Sequence, residues 1–238
     1  MNIALVGYGK MGKAIEEIAL ENGHTIGLKI DLDNAADLNA ENVTGIDVAI
    51  EFTGPHSAFD NVMKCLSLGV PVVCGSTGWL EDYEKAKTFC EAQNGTLIYA
   101  SNFSIGVNIF FEINRKLAEI MNRHPEYKVS MEEIHHVQKL DAPSGTAVSL
   151  ANDILAIHNE YNNWNLASEP SHQNSISIKA IREPNVPGTH EVSYESEIDL
   201  IRIEHIAHNR KGFALGAVLA AEFLAGKKGI FTMKDVLK

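Results

Sequence analysis

With 238 residues and 45% hydrophobic content, the chain is long enough to bury a core in one large or two modest domains, which excludes a disordered chain. Its formal charge of −11, from 20 basic against 31 acidic residues, excludes the basic footprint that nucleic acid or an anionic membrane surface would require. No cationic segment opens the sequence and no apolar run reaches membrane-spanning length, so neither a signal peptide nor a membrane segment is expected.

The first apolar run, Ile3 to Val6, has the composition of a parallel strand buried on both faces. Gly7-Tyr8-Gly9-Lys10-Met11-Gly12 follows at once, and Met11 to Glu21 carries helical spacing. A G-x-G-x-x-G between a strand and a helix is the setting in which the motif holds a dinucleotide. Gly7 would permit the tight turn, Gly9 would let the pyrophosphate approach the backbone, and Gly12 would let helix and strand pack closely. Thr25 to Ile30 reads as the next strand. Asp31 ends it, 19 residues beyond Gly12, where a carboxylate can accept hydrogen bonds from the adenosine ribose. That placement leans toward NADH over NADPH. No arginine follows to meet a 2′-phosphate, although Lys29 or Lys10 could partly do so, and Asp33 is an alternative to Asp31.

Val48 to Phe52, Val70 to Cys74 and Thr96 to Tyr99 continue the strands, alternating with helical patterns over His56 to Leu68 and Leu80 to Gln93. Asn22-Gly23, Gly54-Pro55, Gly69 and Asn94-Gly95 punctuate them as turns. The order predicts an α/β fold with a doubly wound parallel sheet, whose ligands sit at the carboxyl ends of the strands. Glu51 to Pro55 and Gly75-Ser76-Thr77-Gly78 fall at such ends, and either approaches a nicotinamide or is ordinary turn chemistry. Cys65, Cys74 and Cys90, odd in number and without metal-ligand spacing, are expected to be reduced, buried thiols of a cytoplasmic protein, with no metal bound.

After Ser104 the pattern changes. A helix is predicted from about Asn108 to Asn122, then a strand from Tyr127 to Ile134, and a second helix from about Thr146 to Tyr161. A polar stretch, Asn162 to Asn174, precedes strand-like runs at Ser175 to Arg182, Thr189 to Glu195 and Asp199 to Ala207. These follow one another without crossover helices, so an antiparallel or mixed sheet is expected. Gly212 to Leu224 is apolar and helical and suits a cover for the first sheet. The expected division is therefore a Rossmann domain of residues 1–104 and 212–238, with a mixed-sheet α+β domain of residues 105–211 inserted.

Residues 133–147 read Glu-Ile-His-His-Val-Gln-Lys-Leu-Asp-Ala-Pro-Ser-Gly-Thr-Ala. His135, His136 and Lys139 can donate protons to an anionic or nitrogen-containing substrate. Ser144-Gly145-Thr146, between Pro143 and the apolar-periodic run Ala147 to Ile157, reads as a helix start whose backbone N–H groups can hold a carboxylate. A cation cluster beside an anion-binding helix start predicts a small, negatively charged substrate. The bland alternative is two strand-end histidines and a solvated lysine. On the later strands, His190 and His205 read as satisfied structural histidines, while Arg182 and Arg210 either neutralise carboxylates or brace contacts.

The glycine loop, Gly75 to Gly78, the segment Ala100-Ser101-Asn102-Phe103-Ser104-Ile105-Gly106-Val107-Asn108 and Glu133-x-His135-His136-x-x-Lys139-x-Asp141-Ala142-Pro143-Ser144-Gly145-Thr146-Ala147 occur in one order. In this the chain resembles the 4-hydroxy-tetrahydrodipicolinate reductases, the dihydrodipicolinate reductases of the diaminopimelate route to lysine. The likeness extends to Gly188, His190, His205, Arg210, Phe213 and Gly216. It implies a cytoplasmic, homotetrameric oxidoreductase whose second domain binds substrate and forms the oligomer interface. By resemblance His135 matches the proton donor and Lys139 its cationic partner, while His136, Ser144, Gly145 and Thr146 match contacts to a cyclic dicarboxylate. Gly75, Thr77 and Phe103 match the nicotinamide end of the cofactor site, with Ser76, Ser101 and Asn102 beside them. Glu51 stands where the family usually has Asp, Ser76 where it often has Thr, Ser101 where it often has Pro, Thr189 where Glu is common and Ile198 where Gly is common. Another Rossmann amino-acid dehydrogenase, or a catalytically silent NAD(H) sensor, would share the glycine loop but has no need of the 133–147 segment.

Overall fold

The computed structural model describes residues 1–170, 173–209 and 211–238. They form two compact units, Met1–Ile105 with Arg210–Lys238, and Gly106–Asn209. In chain order the first unit holds β1 (Asn2–Val6), α1 (Lys10–Glu21), β2 (Thr25–Ile30), β3 (Val48–Glu51), α2 (Ala58–Ser67), β4 (Val72–Cys74), α3 (Tyr83–Ala92) and β5 (Thr96–Tyr99). The second holds α4 (Ile105–Met121, entering from the first), β6 (Lys128–His135), α5 (Gly145–Leu155), β7 (Asn163–Leu166), β8 (Ser175–Arg182), β9 (Thr189–Glu195) and β10 (Leu200–Ile206). The chain returns to the first unit with α6 (Lys211–Leu224), β11 (Gly229–Phe231) and α7 (Met233–Val236).

The first sheet is parallel throughout, in the order β11-β5-β4-β3-β1-β2. Its inner strands β1, β3 and β4 are buried on both faces because helices cover both. On one face Ile3, Leu5, Val48, Ile50 and Ile98 pack against α1 and the alanine-rich α6; on the other Ala4, Val6, Ala49, Val72 and Leu97 pack against α2 and α3. Small residues let α6 lie close. A Cβ at Gly216 would stand 1.8 Å from the Phe103 carbonyl oxygen. Strand order reverses at β1, which pairs with β2 on one side and β3 on the other. Such a switch point opens a crevice at the carboxyl ends of the strands.

The second sheet is mixed, in the order β10-β9-β6-β8-β7. β6 runs antiparallel to β9 and parallel to β8. Val129, Met131, Ile176, Ile178, Val192 and Tyr194 alternate onto the face that α4 and α5 cover. Three short elements are absent from the sequence reading: the strands β7 and β11 and the one-turn helix α7. β7 lies inside the stretch read as polar loop, and β11 extends the first sheet beyond β5. Several helix limits also differ. α5 stops at Leu155 rather than Tyr161, because Ile157 and His158 both bond back to the Ile154 carbonyl and Asn122 takes the Asn159 N–H. α2 starts at Ala58 rather than His56, and a 3-10 turn at Leu80–Asp82 precedes α3. Cys65, Cys74 and Cys90 are free and buried. Among the described residues no helix is long and apolar enough to cross a membrane.

Candidate active site

The glycine loop leaves the end of β1. Gly7 adopts φ +97°, and a Cβ there would stand 2.2 Å from the Phe52 carbonyl oxygen, so only glycine makes this turn without strain. Gly12, in the first turn of α1, would set a Cβ 2.3 Å from the Gly7 carbonyl oxygen. Gly9 is the N-cap of α1, and nothing lies within 4 Å of the place its Cβ would occupy. One glycine thus turns, one packs, and one leaves open backbone at a helix start, where a pyrophosphate fits. Lys10 is exposed beside it and Met11 is half-buried. Gly7→Ala is expected to lower the stability of the first unit by ~1–3 kcal/mol and, with the loop as a dinucleotide cradle, to weaken dinucleotide binding about tenfold or more. Titration by nucleotide fluorescence checks this, and an unchanged dissociation constant would remove the loop from the binding site.

Asp31 sits exposed just past β2, its amide donating to Asn34 Oδ1 at 2.7 Å and its own Oδ1 accepting from the Leu32 N–H at 2.9 Å. Lys29, one of the cations considered for a 2′-phosphate, is engaged elsewhere. It pairs with Glu16 at 2.6 Å, donates to the Tyr8 hydroxyl at 3.2 Å and lies 4.6 Å from the centre of the Tyr8 ring. At the ends of β3 and β4, buried Glu51 gathers the turns. It accepts from the Thr53 N–H at 3.0 Å, the Ser76 hydroxyl at 3.1 Å and the Cys74 thiol at 3.0 Å. The Ser76 side chain therefore faces inward, also accepting from the Thr53 N–H at 2.8 Å, whereas Thr77 is exposed. Gly75 lies against the Phe52 ring, which meets buried Phe103 at a centroid distance of 5.8 Å. Asn102 is buried and accepts from the Ser104 N–H at 2.8 Å, while Ser101 is exposed.

In the second unit, alternation along β6 puts Glu133 and His135 on the helix-covered face. Antiparallel pairing sets Glu133 opposite His190, next to His205 on β10, and parallel pairing sets His135 opposite Arg182. Glu133 is fully buried. Its Oε1 accepts from the Ser144 N–H and from Arg182 Nη2, both at 3.1 Å. Its Oε2 lies 3.1 Å from His135 Nδ1, off the line of an N–H bond, and 3.9 Å from His190 Nε2. Burial by itself would raise this carboxyl. The contacts with His135 and Ser144, the charge of His135 and the Arg182 bond outweigh burial and hold it down to about 2. His190 is pushed to about 3, first by burial and then by the neighbouring His135 charge, which leaves it neutral at neutral pH. The two imidazoles meet edge-on with centroids 5.0 Å apart.

Ser144 caps α5, its hydroxyl accepting from the Ala147 N–H at 3.2 Å and lying 3.1 Å from His190 Nε2. Gly145, the first residue of the helix, is exposed and Thr146 is half-buried. Between β6 and α5 the loop is tied to the same cluster. Arg182 donates to the carbonyls of Asp141 at 2.6 Å and Lys139 at 3.3 Å. Lys139 Nζ reaches both Asp141 carboxylate oxygens at 2.8 Å, and His136 accepts the Lys139 N–H through its carbonyl at 3.0 Å. Burial favours the neutral Asp141 carboxyl, but the bond and charge of Lys139 win and lower it. A pair open to solvent on one side contributes only ~0–1 kcal/mol, so Lys139 can exchange Asp141 for another carboxylate. Donor atoms of Glu133, His135 and His190 lie within 4.8 Å of one another, a spacing that suits a divalent ion, but Arg182 already gives this carboxylate a cationic partner. Arg210 lies outside the described residues.

Both halves of the chain match models of one family. The description "Dihydrodipicolinate reductase, N-terminus" matches residues 1–103, and "Dihydrodipicolinate reductase, C-terminus" matches residues 106–237. A relative from Christiangramia forsetii, named 4-hydroxy-tetrahydrodipicolinate reductase, is 54% identical over 238 residues, spanning 100% of this chain and 98% of its own. The chain belongs to the dihydrodipicolinate reductase family. Its members are oxidoreductases that use NAD(P)H. A Neisseria meningitidis serogroup B relative of the same name is 32% identical over 93% of this chain and 83% of its own. Among solved structures, a dipicolinate-bound dihydrodipicolinate reductase from Paenisporosarcina sp. TG-14 superposes with TM-score 0.77 at 24% identity, covering 100% of this chain and 99% of that one. An amine dehydrogenase from Mycobacterium smegmatis reaches 0.63 at 11% identity over 99% and 95% of the two chains, which shows a shared fold alone.

Within this family framework, Glu133 and Arg182 are the residues that sequence reasoning undervalued. The Glu-x-His spacing on a strand was a usable signal, because period two puts both side chains on one face. Arg182 was open between neutralising a carboxylate and bracing contacts, and only the β6–β8 pairing brings it to His135.

Proposed function

We propose that the chain reduces 4-hydroxy-tetrahydrodipicolinate to tetrahydrodipicolinate, a step of the diaminopimelate route to lysine, with NADH preferred over NADPH. The observation that carries this reading is the convergence of His135, the Lys139 loop and the start of α5 on one buried carboxylate, Glu133. The name of the Christiangramia relative supplies the substrate.

Gly7, Gly9, Lys10, Met11 and Gly12 would hold the pyrophosphate, Asp31 the ribose, and Gly75 to Thr77 with Ser101 to Phe103 the nicotinamide end. The chemistry a bound nicotinamide supplies is a hydride, delivered to an electron-poor ring carbon. On the protein side, His135 gives the proton, so that substrate, hydride and proton become product and water. Lys139 releases Asp141 for a substrate carboxylate and stabilises negative charge in the transition state. His136, Ser144, Gly145 and Thr146 hold the second carboxylate, Gly145 through a helix N-terminal amide. Neutral His190 adds no competing cation. The reading includes a homotetramer, supported by exposed Leu200, Ile201 and Ile206 along edge strand β10.

Mixing the protein with freshly made dihydrodipicolinate-synthase product is expected to consume NADH, followed at the nicotinamide absorbance. No consumption despite tight NADH binding would favour the sensor reading. With both nucleotides compared, kcat/KM is expected to favour NADH, since Lys29 is held by Glu16. A strong NADPH preference would show that Asp31 does not select the nucleotide.

A further inference from the structure

We propose that Glu133 is a positioning residue for proton transfer: its buried carboxylate holds the His135 ring with Nδ1 inward and Nε2 as the proton-delivering atom, while Arg182 fixes Glu133 and binds it to the Lys139 loop. This rests on the reading of His135 as the proton donor. Glu133 Oε2 and His135 Nδ1 are both shielded from solvent, 3.1 Å apart, and neither has an aligned hydrogen-bond partner. A proton on Nδ1 lies beside a carboxylate oxygen at 3.1 Å and is attracted to it even off the bond line, whereas a lone pair there would be repelled. The buried arrangement thus favours the Nδ1–H tautomer and leaves Nε2 as the atom that faces away from Glu133.

Space at Nε2 is kept by the adjoining backbone. A Cβ at Gly188 would come within 3.1 Å of Nε2 and 3.4 Å of Cδ2. Among the described residues, the other charged and titratable groups around the ring come from each neighbouring element. Arg182 of β8 and Glu133 of β6 bring opposite charges, His190 of β9 is neutral at working pH, His205 of β10 is lowered chiefly by burial, and the start of α5 contributes the uncharged Ser144. Lys139, on the intervening loop, is neutralised by Asp141. Glu133 is therefore the anionic group set against Nδ1 of the ring. Through Oε1 the same carboxylate receives the Ser144 N–H and Arg182, and Arg182 reaches the carbonyls of Lys139 and Asp141. One side chain so ties the proton donor to both of the proposed carboxylate-holding elements.

The test is Glu133→Gln, which keeps the shape and removes the charge, in the full-length protein with NADH and the synthase product. The expected result is a kcat lower by ~10²-fold with NADH binding unchanged. The alkaline limb of kcat should also move to lower pH by about one unit, because the imidazolium loses its opposite charge. Glu133→Asp, which retains the charge, should bring the limb back. A limb that stays in place with kcat within about threefold of wild type would overturn the proposal. The second measurement needs no variant: ¹⁵N-histidine spectra of the wild-type protein, recorded where its imidazoles are neutral, should show the His135 proton on Nδ1. A proton on Nε2 overturns the proposal even if the variants fail to fold. Absence of turnover by the wild-type enzyme would instead strike the functional reading, and leaves the tautomer result to be judged by itself.

Discussion

His135→Ala and Lys139→Ala are each expected to lower kcat by ~10²–10³-fold, equivalent to about 2.7–4 kcal/mol of transition-state stabilisation. The two should fail differently. His135 is buried on the sheet face with Nδ1 against Glu133, so its loss removes the proposed proton donor while leaving Lys139 and its carboxylate contact in place. Its main effect belongs in kcat. Lys139 is partly exposed and already holds a carboxylate, Asp141, in the two-pronged way a substrate carboxylate would be held. Its loss should raise KM for the dicarboxylate as well as lower kcat. The double variant should be little worse than the poorer single one, because both residues act on one transition state. NADH binding should survive all three, since the glycine loop lies in the other unit. Steady-state kinetics with nucleotide titration on the same samples gives the comparison, and wild-type turnover by the double variant would sink the mechanism.

The parts of the chain that were legible before the structure share a physical cause. Runs such as Val48 to Ile50 are apolar on both faces because helices cover both, and the glycines at 7 and 12 are required by backbone contacts that a Cβ would violate. Short elements with mixed polarity were not legible. β7 carries Asn163 and Asn165, the latter buried and accepting from the Ser175 hydroxyl, so its strand character depends on a partner. β11 is three half-buried residues that pair with β5, more than a hundred positions earlier. The Thr146 to Tyr161 helix overran because His158 and Tyr161 keep apolar spacing after the backbone has turned. At the site, local order named His135, Lys139 and Ser144, but Arg182, which bonds both Glu133 and the Lys139 carbonyl, is brought there only by the sheet register. Ser76 went the other way: a turn hydroxyl that suggested a ligand is bonded inward to Glu51.

Acid should weaken the second unit in two stages, beginning well above the usual carboxylate range. His190 titrates at about 3 in the folded chain against an ordinary 6.5, so below 6.5 the unfolded chain takes up a proton that the folded chain refuses. Stability is therefore full above pH 6.5 and is lost as the pH falls toward 3. Glu133 is also depressed, to about 2 from 4.5, and its contribution is present above 4.5 and lost on the way down to 2. At about 1.4 kcal/mol per pH unit, each group alone is worth several kcal/mol across its window. The groups facing this pair are His135 and Arg182 from β6 and β8, His205 from β10, Ser144 from α5 and the Lys139 loop, so the two titrations are coupled. The chain's two tryptophans report separately, Trp79 from the first unit and Trp164 from the second. In Trp79→Phe, urea unfolding followed by Trp164 fluorescence should give a midpoint that falls steadily from pH 6.5 to 4.5. Adding His190→Asn, which cannot take up the proton, should flatten that interval while leaving the steeper fall below pH 4.5. An unchanged midpoint between pH 6.5 and 4.5 in Trp79→Phe alone would mean that His190 is not held neutral by its burial beside His135.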